Sequence, residues 1–203
     1  LKFLCNPNSP TGTWQPRAVV EEAARTARGV LVLDEAYVDF APESREDLLR
    51  EHGNLVILRT LSKSGALAGM RIGYALAQPD LIESLDVVKD SYNLDRLAVV
   101  AAKAAAEDAE YRQSLVEYVL EERAWLGAEL AGQGFEVLPS ATNFLFVRPP
   151  AAHSAGDVYE RLRERRILVR HYHREPIDGW FRITIGTREQ HAALLAALEE
   201  ILV

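Results

Sequence analysis

The chain has 203 residues, 48% hydrophobic and 26% charged, which suits a protein with a real core and excludes a disordered or fibrous one. Its net charge of −7 argues against a partner such as nucleic acid, whose phosphates call for a basic face. No apolar run reaches the roughly 20 residues of a membrane span, and the single Cys5 leaves no intrachain disulfide, so a reducing cytoplasm is the expected location.

Leu1-Lys-Phe-Leu-Cys5 reads as the end of a buried strand running straight into a turn, so the chain is expected to begin in the middle of a fold. Asn6 to Gly12 is a Pro/Gly turn, and Pro16 suits the first turn of a helix that continues to Ala27, with Gly29 just past its end. Gly29-Val-Leu-Val-Leu-Asp34 is a continuous apolar run, as in a strand covered on both faces. Another strand, Leu55 to Arg59, leads into the polar loop Thr60-Leu-Ser-Lys-Ser64. Arg71 to Ala77 reads as a further strand and Pro79 to Val88 as a helix. Apolar runs alternating with helical patterns predict βα units and a mostly parallel sheet.

The alternation then stops. Leu94 to Leu130 reads as one long helical stretch, broken by Gly132-Gln-Gly134. Phe135 to Val147 supplies one or two strands, Gly156 to Arg166 a helix, Ile167 to Arg170 and Trp180 to Ile185 two strands, and Arg188 to Leu202 a closing helix. This is the pattern of a smaller α+β domain. The expected division is residues 1–93, the later part of a large α/β domain, and residues 94–203, a small domain including the long connecting helix.

In open α/β sheets ligands collect at the carboxyl ends of strands. Three such ends carry reactive groups: Asn6-Pro-Asn-Ser-Pro-Thr-Gly12, Asp34-Glu-Ala-Tyr37, and Thr60-Leu-Ser-Lys63 with Arg71 close behind. If the strands are neighbours, a carboxylate, a phenol, a lysine, two hydroxyls and a guanidinium converge on one crevice. A lysine can form a Schiff base with an aldehyde. A carboxylate can hold a pyridinium nitrogen protonated, and hydroxyls with an arginine can hold a phosphate.

At these residues the sequence resembles the fold-type I aminotransferases that use pyridoxal 5'-phosphate, and within them the histidinol-phosphate aminotransferases. Asn6 to Gly12, Val32-Leu-Asp-Glu-Ala-Tyr37 and Thr60 to Gly73 carry the match, supported by Asp90-Ser-Tyr-Asn93, Thr142-Asn143-Phe144 and Phe181-Arg-Ile-Thr-Ile-Gly-Thr187. The resemblance implies that Lys63 carries the cofactor and moves the proton at the substrate Cα. Asp34 would pair with the pyridine nitrogen, Tyr37 with the 3'-oxygen, and Thr60, Ser62 and Arg71 with the cofactor phosphate. On the substrate side it implies Tyr92, Asn143, Arg182 for the α-carboxylate and Arg170 for the phosphate of a phosphate-ester substrate. Where the family usually has asparagine before Pro-Thr-Gly, this chain has Ser9, preceded by Asn8; either can serve the 3'-oxygen.

Taken singly, each residue has a plainer reading. Asp34 can cap the next helix, Arg182 can make an ordinary strand ion pair, and the Arg161 to Arg166 stretch is a solvated helix face. His171 and His173 alternate like metal ligands on a strand but lack a third ligand at metal spacing, so exposed or substrate-side histidines are expected and no metal site. The resemblance implies transamination of histidinol phosphate with 2-oxoglutarate by a cytoplasmic homodimer, without nucleic-acid or membrane partners. Aromatic amino-acid aminotransferase, threonine-phosphate decarboxylase and a non-catalytic fragment lacking the family's N-terminal segment are the alternatives.

Overall fold

The computed structural model describes residues 1–203, which form two compact units. The first comprises Leu1–Asn8 and Trp14–Val116, the second Ser9–Thr13 and Glu117–Val203. This division follows compactness; the boundary expected at Asn93 follows the end of the βα alternation.

In the first unit, β1 (Lys2–Cys5), β2 (Leu31–Asp34) and β3 (Leu55–Thr60) are parallel neighbours, and β4 (Gly73–Ala77) runs antiparallel to β3. Helix α1 (Arg17–Thr26) crosses between β1 and β2 and sets Val20 and Ala24 against Leu31, Leu33, Leu48, Leu55 and Ile57. Burying a Val, Leu or Ile side chain contributes about 1.5–3 kcal/mol. The unbroken apolar run of β2 is buried, as its composition predicts. β1 departs from expectation: it pairs on one side only, and Phe3 is 67% exposed.

Helix α2 (Pro79–Val88) follows β4, but the stretch expected as one long helix is two, α3 (Arg96–Glu107) and α4 (Ala109–Gly132). The break has a local cause. Asp95 caps α3 by accepting the Ala98 N–H at 2.9 Å, and Asp108 accepts the Tyr111 N–H at 3.1 Å, starting a fresh helix.

The second unit holds an antiparallel sheet in the order β5 (Glu136–Val137), β6 (Phe144–Arg148), β8 (Phe181–Thr184), β7 (Arg170–His171). Leu145, Val147, Phe181 and Ile183 lie on one face and pack with residues of α4, α5 (Ala155–Glu164) and α6 (Arg188–Ile201). By alternation, Phe144, Phe146, Arg182 and Arg170 lie on the other face. No helix is long and apolar enough to cross a membrane.

Candidate active site

The expected residues fall into two sets. Asn8, Asp34, Tyr37, Thr60, Ser62, Lys63, Arg71 and Tyr92 belong to the first unit; Ser9, Asn143, Arg170 and Arg182 belong to the second.

In the first unit the strand register brings the reactive ends level. Cys5 pairs with Asp34, Asp34 with Leu58, and Thr60 with Gly73, so Arg71, two residues before Gly73, returns to the carboxyl end of β3. Asp34 Oδ1 accepts the Ala36 N–H at 2.9 Å, while Oδ2 receives a weak contact from the Cys5 thiol at 4.0 Å. Burial, reinforced by the Asp34 charge, pushes the Cys5 thiol above its ordinary pKa. Both effects disfavour the thiolate, so Cys5 is not an activated nucleophile.

The Thr60 hydroxyl donates to the Ile72 carbonyl at 3.1 Å, accepts the Ser62 N–H at 3.1 Å and stands 2.9 Å from the Ser62 hydroxyl. The Lys63 ammonium lies 5.3 Å from the centre of the Tyr37 ring. Ser64 donates to Asp39, joining the lysine loop to the turn after Tyr37. Ala66 and Arg71 in that loop hold left-handed φ values of 55° and 56°, which cost a non-glycine residue about 1 kcal/mol or more. Arg71 is exposed and donates to the Ala68 carbonyl at 3.0 Å. Tyr92 is not gathered with this set; its side chain is 92% exposed.

Sequence reasoning missed the groups that hold these ends in place. Glu35, 2% exposed, accepts the Arg45 N–H at 2.7 Å, the Ser44 hydroxyl at 3.0 Å and the Arg59 guanidinium at 3.1 and 3.0 Å. Burial alone would lower the Arg59 pKa, but Glu35 reverses the effect and raises it. Glu35 follows Asp34 and Arg59 precedes Thr60, so this buried pair ties the two functional strand ends together. An acidic residue next to a strand-end aspartate was the available signal.

In the second unit, Arg182 Nη1 donates to Ser9 Oγ at 3.2 Å, and its guanidinium lies 4.8 Å from the centre of the Phe144 ring. Arg182 Nε is buried without a partner. Arg170 is the direct cross-strand neighbour of Arg182. Like charges so placed repel, and neither arginine forms an ion pair with a carboxylate. The Ser9–Thr13 segment is held from the same unit: the Ala141 N–H donates to the Gly12 carbonyl at 2.8 Å. Asn143 lies just beyond Ala141 in the same loop, its carbonyl accepting the Ile185 N–H at 2.9 Å. Of the two candidates before Pro10, Ser9 thus contacts an arginine, and Asn8 belongs with the lysine-bearing unit. Glu21, Glu51 and His52 have metal-like spacing, but Arg17 already pairs with Glu51 at 2.8 Å.

The fold is that of a transferase of fold type I, part of the large-domain sheet together with a small α+β unit. The model of aminotransferase class I and II matches residues 3–198, and the chain belongs to that family. It is 50% identical over 201 residues to the histidinol-phosphate aminotransferase of Aromatoleum aromaticum, covering 97% of this chain and 56% of that protein. The crystal structure of histidinol-phosphate aminotransferase from Sinorhizobium meliloti in complex with pyridoxal-5'-phosphate superposes with a TM-score of 0.89 at 32% identity, over 98% of this chain and 56% of that one. L-threonine-O-3-phosphate decarboxylase from Porphyromonas gingivalis superposes with a TM-score of 0.84 at 26% identity, over 98% of this chain and 63% of that one. The chain therefore spans little more than half the length of the proteins it matches.

Proposed function

We propose that this chain carries the lysine-bearing core of a pyridoxal-5'-phosphate aminotransferase that converts histidinol phosphate and 2-oxoglutarate to imidazole-acetol phosphate and glutamate in histidine biosynthesis. The observation that carries this reading is that Asp34 and Thr60 end the adjoining parallel strands β2 and β3, with the Lys63 ammonium 5.3 Å from the ring of Tyr37, which follows Asp34. The donor set fits a phosphorylated pyridine aldehyde. Asp34 Oδ2, left with only a weak thiol contact, is open to a pyridinium N–H. The hydroxyls of Thr60 and Ser62 and the guanidinium of Arg71 suit a phosphate.

When bound, the cofactor supplies an electron sink for bond cleavage at the substrate Cα. Lys63 Nζ engages the aldehyde and moves the proton at that carbon, with the Tyr37 ring beside it. Tyr37 and Asn8 orient the 3'-oxygen. Arg182 receives the α-carboxylate of 2-oxoglutarate, and Ser9 holds its Nη1 in place. Histidinol phosphate has no carboxylate, so its phosphate falls to Arg182 and Arg170 together, which answers the repulsion between those neighbours. Asn143, in the same unit as Arg182, belongs to the substrate side. We infer a cytoplasmic homodimer, the family's usual state.

Added pyridoxal 5'-phosphate should give the wild-type chain a visible absorption band that Lys63→Ala lacks. A band of equal strength in the variant, or none in the wild type, contradicts the assignment of Lys63. The paired arginines also suit a substrate carrying phosphate and carboxylate at once, as threonine phosphate does. Turnover of histidinol phosphate exceeding that of phenylalanine and of threonine phosphate supports the aminotransferase reading; release of carbon dioxide from threonine phosphate supports the other.

A further inference from the structure

A buried arginine in the first unit has no part in the proposed chemistry. Arg45, in the connection between β2 and β3, is 1% exposed, and burying a charge costs stability unless it is paired and hydrogen-bonded. The carboxylate it pairs with, that of Glu43, is 62% exposed, and Arg45 Nε is buried without a partner. A hydrophobe of similar volume would pack there at less cost, so the arginine calls for another explanation.

Its contacts supply one. Leu31, Leu33, Leu55 and Ile57 pack against α1; by alternation Glu35 and Arg59 continue that face, and Asp34 and Thr60 stand on the other. The Arg45 N–H donates to Glu35 Oε1 at 2.7 Å and Glu35 holds Arg59, so the main chain of Arg45 reaches the ends of β2 and β3. Its side chain reaches the end of β1. Arg45 Nη2 donates to the Gln15 carbonyl at 3.1 Å, the oxygen that also accepts the Asn6 amide, and the guanidinium lies 4.3 Å from the centre of the Trp14 ring. Asn6 in turn donates its N–H to the Asp34 carbonyl at 2.9 Å.

We propose that Arg45 is a positioning residue for the cofactor pocket: its guanidinium holds the turn that leads to Asn8, its N–H holds the Glu35 and Arg59 pair, and it thereby fixes three strand ends relative to one another. This role rests on the cofactor reading above. Arg45 acts through Asn6, Gln15 and Glu35 and touches no reacting atom.

Arg45→Met keeps the main-chain bond to Glu35 and removes the side-chain link alone. In the cofactor-free chain, amide hydrogen exchange at Asn6 and Gln15 should speed up about tenfold relative to Leu33 and Ile57, the scale of one hydrogen bond from a charged group. With pyridoxal 5'-phosphate, the variant should need a several-fold higher concentration to develop the visible band and show a shifted pH midpoint for it, because the 3'-oxygen loses a fixed donor. Arg45→Lys, which keeps the charge and one donor, should recover part of both. Val20→Ala, a truncation in the same core, should leave the pH midpoint unchanged. Equal affinity and midpoint in wild type and Arg45→Met, exchange at Asn6 and Gln15 no faster relative to Leu33 and Ile57, or the same midpoint shift in Val20→Ala overturns the role of Arg45 alone. A wild-type chain without the band overturns the cofactor reading and this role with it.

Discussion

Single residues in the Asn6 to Gly12 turn do separate work. Asn6 is buried and accepts the Gln15 N–H at 2.7 Å while its amide donates to the Gln15 carbonyl at 3.3 Å, closing the turn on itself. Gly12 sits at φ +78°, and a Cβ added there would come within 2.7 Å of Ser140 Oγ. Ser140 is not free to yield, since its hydroxyl donates to the Phe144 carbonyl at 2.6 Å. Gly12→Ala should therefore destabilise the chain by about 1–3 kcal/mol, from left-handed backbone and collision together, and lower its thermal midpoint. An unchanged midpoint would mean the turn can relax away from Ser140. The turn itself was legible from its proline and glycine content. Its dependence on Ser140 was not, because that contact joins residues far apart in sequence.

At the scale of elements, the helices show both what local pattern can and cannot specify. Apolar spacing located α1, α2, α5 and α6 closely, but it ran straight through Asp108, where a side-chain cap divides one apparent helix into two. The pin between α4 and α6 was equally hidden. Glu122, 4% exposed, takes the Arg188 guanidinium at 2.6 Å and His191 Nδ1 at 2.9 Å, while His191 Nε2 accepts the Gly186 N–H at 2.8 Å. Hydrogen bonds from Arg188, joined by His191 and opposed by burial, hold the Glu122 carboxyl below its ordinary range. A carboxyl whose pKa is lowered by folding stabilises the native state above its unfolded value, about 4.3, and loses that contribution as pH falls through the folded value. Acidification below about pH 4.3 should thus lower the melting midpoint, and Glu122→Gln should flatten that part of the profile. An identical acid slope in the variant would remove Glu122 as its source.

Across the whole molecule, the carboxyl-end rule for parallel sheets pointed to one crevice before any strand order was known. The observed order β1-β2-β3 meets its condition that these strands be neighbours. The rule could not supply the support behind these strand ends, the Glu35 and Arg59 pair, because a buried ion pair leaves no periodic trace in a sequence. Nor could it show that Ser9 contacts Arg182, a contact spanning almost the whole chain.

One lysine is set apart from the rest by its place at the strand ends. The chain has four lysines, Lys2, Lys63, Lys89 and Lys103. Lys89, just past α2, pairs with Asp86 at 2.7 Å, and Lys103 in α3 lies 3.7 Å from Glu107; both side chains are exposed. Brief incubation with substoichiometric pyridoxal 5'-phosphate, reduction with borohydride and peptide mapping by mass spectrometry reads the choice directly. The label should fall on the peptide containing Lys63, whereas labelling spread over the four lysines, or centred on another, would contradict the role given to Lys63.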